Sequence, residues 1–411
     1  MRSITAMTAA ALAALPFGLG AAQELVPAGS WKADRSVRGD TTIVRTRSGS
    51  VWGDGARVVE QLRIGKLDGR EEESFGQMQA VAVFRDGGVA VFDASVPALR
   101  LFGADGRYAK TLGRDGAGPG EYRNQTLGLA EDPAGNLLMY DPRNARINRW
   151  TRDGSPLPSW RVPAGFYGQQ SMYVDASGEV LVKIVSHEPI QGSDFPVALA
   201  RLDREGVLRD TIHPPEIAGP PGGGSFFTPQ KLWTRTRSGR FVSGHGNAYR
   251  VTIHGEGGRV VRIERDVRPI PLAPEERRNH QVRAEHQERN RPSNVIVIGP
   301  KPGPVPATKP FFRDLVVDMD DRVWVQFHTR GEEYDPPPTR APPGASPPPP
   351  LRWRERRVWD VYRPDGTYLG RIELPWRSTL ITARGNTIWS IQRGEEDEYY
   401  VVRSAITGVR P

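Results

Sequence analysis

The chain reads as an all-β protein, a six-bladed β-propeller of four-stranded blades with the last blade closed by an N-terminal strand. Three observations predict this. Turn glycines recur in pairs at a nearly fixed interval: Gly87 and Gly106 stand 19 residues apart, Gly135 and Gly154 stand 19, and Gly239 and Gly257 stand 18. Between them run apolar stretches too short for helices and rich in β-branched and aromatic residues. One strand near the N-terminus has no local partner, while the last blade is one strand short.

The first turn of each unit carries Asp86-Gly87, Ala134-Gly135, Ser177-Gly178, Ser238-Gly239 and Arg384-Gly385, with Asp320-Asp321 in the same role. The second carries Asp105-Gly106, Asp153-Gly154, Glu205-Gly206, Glu256-Gly257 and Asp365-Gly366. Strands flank these turns with period two, as in Val89-Ala90-Val91-Phe92, Leu137-Leu138-Met139-Tyr140 and Val323-Trp324-Val325. A third strand follows each, as in Leu99-Arg100-Leu101-Phe102 and Trp359-Asp360-Val361-Tyr362. A four-stranded sheet has two faces to cover and cannot cover them alone. Stacking such sheets radially covers both, with a period of roughly 40–50 residues per blade. The strand sets centre near residues 79–112, 125–163, 170–213, 229–264, 312–374 and 379–406. The sixth runs out after Tyr399–Arg403, and the spare strand Arg57–Ile64 supplies its missing edge.

Outside the blades, Arg2, an uncharged run from Ile4 to Leu19 and Gly20-Ala21-Ala22 form a secretory signal peptide over residues 1–22. The run is short for a bilayer span. The expected location is therefore periplasmic or extracellular, with no membrane span after cleavage. Residues 23–56 read as an N-terminal extension and 57–411 as the propeller. There is no Cys, so stability must come from the core that nearly 390 mature residues can bury. The net charge of +8 falls to about +7 without Arg2, and Lys supplies only seven of the 56 basic residues. The Arg are scattered among Asp and Glu, which together with export argues against nucleic acid.

Three interruptions stand out. Residues 214–224 form a Pro/Gly connection. Residues about 274–291 read as a surface helix, with Pro274 at an N-terminal position, acids in the first turn and almost no apolar face. Residues about 333–350 are a Pro-rich loop inside blade five. The last two insertions either cap the channel or decorate the surface.

From Leu112 to Gly154, the words GAGPGEY, AGNLLMYD and NARINRWTRDG resemble the NHL repeat of six-bladed propellers. Blade one matches in part, and blades three to six keep only the rhythm. The resemblance implies the fold. It leaves function open among lyases, sensor domains, RNA-binding modules and scaffolds.

The innermost strand of each blade lines the channel, and the loops entering it share a face with those between second and third strands. On that face the glycines of GAGPGEYR allow positive φ, so backbone amides there could cradle an anion. Arg114, Tyr122 and Arg123 stand beside them; alternatively the motif shapes a tight interblade crossing with Tyr122 as a plug. Asp93, Asp141 and His245 share one register, each six residues after its turn Gly. Asp at this position also caps its own loop. These six residues are the candidate ligand-binding set. His187, His245 and His328 fall near the second-strand ends of three consecutive blades. NHL-like lyases hold zinc with such His, and the resemblance therefore makes these three candidate metal ligands. Their unequal offsets argue against convergence of the three or four ligands that zinc needs.

No metalloprotease, nucleophile-elbow or phosphate-loop motif occurs, and no catalytic residue is assigned. The expected function is an exported ligand-binding or protein-interaction module, monomeric and without cofactor, whose partner is a protein, peptide or carbohydrate. The alternative is a metal-dependent lyase or lactonase-like hydrolase, with zinc or calcium, using channel-facing His and carboxylates.

Overall fold

Six antiparallel sheets stand around a central axis, each a meander whose first strand is innermost. The structure, a computed structural model, describes residues 28–126, 128–162, 172–185, 197–220, 226–290, 303–337 and 346–409. The signal peptide and His187 lie outside the described residues.

Blade one comprises Met78–Val83, Val89–Asp93, Ala98–Phe102 and Tyr108–Leu112. Blade two comprises Gly128–Glu131, Leu137–Asp141, Arg146–Trp150 and Pro156–Arg161. Blade three runs through Met172–Val174, Val180–Val185, Val197–Leu202 and Leu208–Ile212, and blade four through Lys231–Arg235, Phe241–His245, Arg250–His254 and Val260–Arg265. Blade five is Phe312–Val317, Val323–Phe327, Arg357–Tyr362 and Tyr368–Leu374. In blade six, Ser378–Arg384, Thr387–Arg393 and Tyr399–Thr407 are completed by Arg57–Ile64, which pairs antiparallel with the last strand from Val401↔Ile64 to Thr407↔Arg57. The expected closure is therefore present.

Second strands do not alternate as period two implies. Val89–Asp93 and Leu137–Asp141 are buried at every position. Each is covered on both faces by neighbouring blades, so apolar residues are required on both. The core accordingly lies between blades. One wedge joins Phe92, Leu99 and Tyr122 to Leu137, Met139 and Trp150. Another joins Trp324 and Trp359 to Leu380 and Ile388.

The turn glycines between third and fourth strands have a second reason to be Gly besides positive φ. A Cβ on Gly154 would meet Leu112 of the preceding blade at 2.6 Å, and one on Gly106 would meet Leu62 at 2.8 Å. Asp321 takes the glycine role in blade five with φ +59. There Asp318 caps the turn, accepting from the backbone amides of Asp320 and Arg322 at 2.9 Å each.

Residues read as an N-terminal extension instead join the ring. Lys32–Arg38 and Thr41–Ser48 form a hairpin whose second strand pairs parallel to Val260–Arg265, from Val260↔Thr41 to Arg265↔Thr46. Blade four thus carries six strands, and a Cβ on Gly366 of blade five would meet Val44 at 2.9 Å. Trp52 then packs on blade five, its amide donating to the Leu369 carbonyl at 2.7 Å.

The antiparallel meander puts all first-to-second and third-to-fourth turns at one end. The interblade connections and the second-to-third loops emerge at the other. Residues 214–220, 266–290 with the helix Pro274–Arg289, 303–311, 328–337 and 346–356 all rise from this second end, hereafter the loop face. The helix starts at Pro274 with Glu275 and Glu276 in its first turn, as its sequence implies. It is not a purely surface element, however, because Glu276, His280 and Ala284 form a buried stripe spaced four apart. Sequence reading looked for an apolar face, whereas the helix docks through polar groups.

Candidate functional site

Asp93, Asp141 and His245 end their second strands in one register at the loop face, as the turn spacing implies. Each is occupied locally. Asp93 is 1% exposed and accepts from the backbone amides of Gly76 at 3.0 Å, Gln77 at 2.9 Å and Ser95 at 3.0 Å, and from the Ser95 hydroxyl at 2.6 Å. Burial pushes its carboxyl up, but these hydrogen bonds outweigh that and hold it below the usual range. Asp141 is fully buried and holds Asn144 through both its amide and its side chain, at 3.2 and 2.6 Å. His245 donates from Nε2 to the Pro220 carbonyl at 2.9 Å and accepts at Nδ1 from the Asn247 amide at 3.2 Å.

In the GAGPGEYR loop, Tyr122 is fully buried. Its hydroxyl donates to the Leu112 carbonyl at 2.7 Å and accepts from the Leu99 amide at 2.9 Å. Its ring meets Phe92 and Trp150 edge-on, plugging the crossing between blades one and two. Burial pushes its phenol up to about 12. Arg114 lies on the surface, paired with Glu121 at 2.7 Å, and Arg123 lies 3.9 Å from Asp115. The six candidate residues therefore stay dispersed over blades one, two and four.

Of the candidate metal ligands, the two described ones, His245 and His328, do not converge. His245 is tied to Pro220, and His328 is tied to Glu355. Among the described residues no group of three His, Asp or Glu is placed to hold a metal ion.

Two openings stand out among the described residues. The central channel holds about 720 Å³ and is lined by the inner strand of every blade. Gln77, Gln79 and Thr126 face its loop-face mouth, with Arg377 and Arg393 flanking Asp397 there. Arg377 and Asp397 both adopt positive φ, +62° and +67°.

The second opening is a cavity of about 200 Å³ at the loop face, between blades four and five. Val267, Pro269 and Ile270 from the interblade segment, with Phe311 and Phe327, make its walls apolar. Asp360 lies at its base, fully buried on the third strand of blade five. Its Oδ1 accepts from the Tyr368 hydroxyl at 2.8 Å and Arg371 Nε at 3.0 Å. Its Oδ2 accepts from the Tyr249 hydroxyl at 2.7 Å, Arg265 Nη1 at 2.8 Å and, at 3.4 Å, Arg371 Nη2. Burial pushes the carboxyl up, but the Arg371 and Arg265 guanidinium charges outweigh it and hold it below the usual range. Arg371 stacks 4.1 Å over Phe327. Its Nη1 edge has no hydrogen-bond partner among the described residues.

His328 lines the same cavity one residue beyond the second strand. Its Nδ1 lies 2.9 and 3.2 Å from the two Glu355 oxygens. An ionised carboxylate only accepts, so Nδ1 carries a proton and a neutral His328 keeps its lone pair on Nε2. Behind it, Lys309, whose side chain is fully buried, donates to Glu355 at 2.7 Å, Glu276 at 2.6 Å and the Thr329 carbonyl at 2.9 Å. Burial pushes Glu355 up, but the hydrogen bond and charge of His328 and the Lys309 ammonium overcome it and hold the carboxyl at about 2. Phe227 lies edge-on to His280 and His328, 4.8 and 5.5 Å between ring centres. Thus Glu276 on the helix, Lys309 before blade five and Glu355 after the Pro-rich loop lock both insertions over the cavity. Asn279 and Arg283 of the helix also donate to the carbonyls of Pro350 and Pro349.

Sequence reading singled out His328 but missed Glu276, Lys309, Glu355, Asp360 and Arg371. The one available signal was Lys309 itself, in a chain that uses Arg almost everywhere else.

No protein-family model matches the chain. No curated protein matches it by sequence. Solved structures do. A member of the DUF4221 family from Bacteroides vulgatus aligns with 11% identity over 86% of this chain and 99% of its own, with a TM-score of 0.51. Virginiamycin B lyase from Staphylococcus aureus aligns with 12% identity over 84% of this chain and 99% of its own, TM-score 0.39. A protein of unknown function from Bacteroides thetaiotaomicron aligns with 10% identity over 85% of this chain and 76% of its own, TM-score 0.42. At such identities the likeness shows the fold alone, and the fold is the six-bladed β-propeller.

Proposed function

We propose that the chain is an NHL-like propeller exported to the periplasm or cell exterior, where it acts as a ligand-binding module through its loop face. The single observation that carries this is the cavity between blades four and five. It has apolar walls and a few polar groups that converge on it, and it lies under two insertions tied together by a buried ion cluster. Ligand sites are commonly built this way, concave and mainly apolar with few fixed polar groups. Export rests on the pattern of residues 1–22, and the NHL assignment on the words of blade two.

At about 200 Å³ the cavity suits a ligand smaller than a typical drug molecule, whose sites run from about 300 Å³ upward. The test is a thermal-shift screen of small organic compounds against the wild-type chain and an Ile270→Trp variant that fills the cavity. Compounds that stabilise only the wild-type chain support the reading. A screen in which every responding compound stabilises both proteins equally sinks it.

A second reading is favoured by the Glu355–His328 dyad. A carboxylate-oriented imidazole with a free Nε2 at a cavity is the arrangement of a general base. The protein would then be a hydrolase or lyase using acid–base chemistry. His328→Gln would leave ligand binding within a few-fold and abolish turnover of a bound substrate; unchanged turnover excludes this reading.

A further inference from the structure

We infer that the cavity between blades four and five is selective for a small monocarboxylate with an apolar body, whose carboxylate pairs with the outer edge of Arg371. This rests on the ligand-binding reading above and specifies the ligand of that same site.

The charge count at the base of the cavity points there. Asp360 is shared by two guanidinium groups, Arg265 and Arg371. One carboxylate against two guanidinium groups leaves one positive charge over. The Asp360 oxygens are already saturated, with five hydrogen bonds from Tyr249, Tyr368, Arg265 and Arg371. Asp360 therefore has no acceptor left for a cationic ligand. Arg371 spends Nε and Nη2 on Asp360, so its remaining Nη1 edge is the donor available to the cavity. Its side chain is 47% exposed, and Phe327 fixes the guanidinium plane from one side. A guanidinium seated over a ring and oriented by a buried carboxylate loses little freedom on binding an anion.

Arg371 presents one unpartnered guanidinium edge at the base, which matches a single carboxylate, and the exposed Arg268 in the lining adds potential of the same sign. The walls decide the remainder of the ligand. Phe311, Phe327, Pro269 and Ile270 offer carbon, and Arg268 is the one further charged residue of the lining, a cation. His328 adds one acceptor, the Nε2 lone pair left by its bond to Glu355. A hydroxyl on the ligand would satisfy it. The chemistry is that of a small aliphatic or aromatic acid, with a hydroxy acid meeting both polar groups.

Isothermal titration of the full chain with phenylpropionate, phenyllactate and phenylpropionamide tests this. A charge-assisted bond to Arg371 should make the two acids bind about tenfold or more tighter than the isosteric amide. The Arg371→Met variant should lose that ratio while still melting cooperatively. Should it fail to fold, the wild-type comparison of acid with amide decides alone. Equal binding of acid and amide, both lost in Ile270→Trp, overturns the carboxylate assignment but leaves the cavity as a ligand site. Binding that survives in Ile270→Trp, or no binding of any of the three compounds, overturns the assignment too. Tighter binding of phenylphosphonate as its dianion than of phenylpropionate would also overturn it.

Discussion

Replacing Lys309 by Met removes the cation that joins the helix to the base of the Pro-rich loop. Its ammonium is fully buried and touches Glu276, Glu355 and the Thr329 carbonyl within 2.9 Å. Met matches its length but takes the ion partner from the buried Glu276 carboxylate and leaves Glu355 only His328 and, at 4.0 Å, the Arg313 guanidinium. Breaking a buried pair from one side costs about 3–5 kcal/mol. The proton affinity of Glu355 gives a second route to the same size. Its carboxyl stands at about 2 against an ordinary value of 4.5. At about 1.4 kcal/mol per unit the difference is worth roughly 3 kcal/mol, shared between Lys309 and His328. Because the folded value is depressed, that stability is present above about pH 4.5 and is lost as pH falls towards 2. Urea unfolding at neutral pH, with amide exchange followed across Pro274–Arg289, measures the effect. The expected loss in Lys309→Met is about 3 kcal/mol, with the helix exchanging first. Adding Glu276→Gln and Glu355→Gln should recover much of it, since neutral amides need no counter-charge. A loss under about 1 kcal/mol, the size of an exposed pair, with helix exchange unchanged would refute the account of a buried lock.

Three other outcomes follow from neighbouring features. Burial and the Lys309 charge press His280 down to about 4 from an ordinary 6.5, so stability should fall as pH drops from 6.5 to 4, by up to roughly 3 kcal/mol, and His280→Leu should flatten that slope in denaturation at stepped pH. Asp360→Asn leaves the partly exposed Arg265 and half-exposed Arg371 against a buried amide, which should cost about 1–3 kcal/mol and lower the melting temperature by a few degrees in calorimetry. Deleting residues up to 65 opens the edge of Tyr399–Thr407 and should give aggregates in light scattering, whereas deleting only up to 49 keeps the closing strand and should leave the protein soluble.

The ring was legible because its signals are local. Gly87 with Gly106 and Gly135 with Gly154 mark turns whose chemistry belongs to single residues, and these positions hold the positive φ that the pattern requires. Even Asp321, lacking a glycine, was readable from its place in the rhythm. Closure by Arg57–Ile64 was legible by elimination, since one blade lacked a strand. The hairpin at 32–48 was not, because its partner Val260–Arg265 is over 200 residues away and pairs parallel, without a turn to announce it. The polar lock was hidden for a related reason. Glu276, Lys309, His328 and Glu355 lie on four different segments, and only the blade stack brings them together. The helix misled in its own way: an empty apolar stripe suggested a free surface, but Glu276 and His280 dock by charge and ring contact.

The N-terminal segment laces three neighbouring blades, adding Thr41–Ser48 to the fourth, seating Trp52 on the fifth and giving Arg57–Ile64 to the sixth. In a chain made from its N-terminus, these strands appear first and find their partners last. Thr407 meets Arg57 across 350 residues, so loops of that length must close before either end is covered. Closure of the sixth blade is thus gated by Tyr399–Thr407, and until that strand is made Arg57–Ile64 remains an open edge. Neither terminus can be trimmed past its strand without unlatching the other.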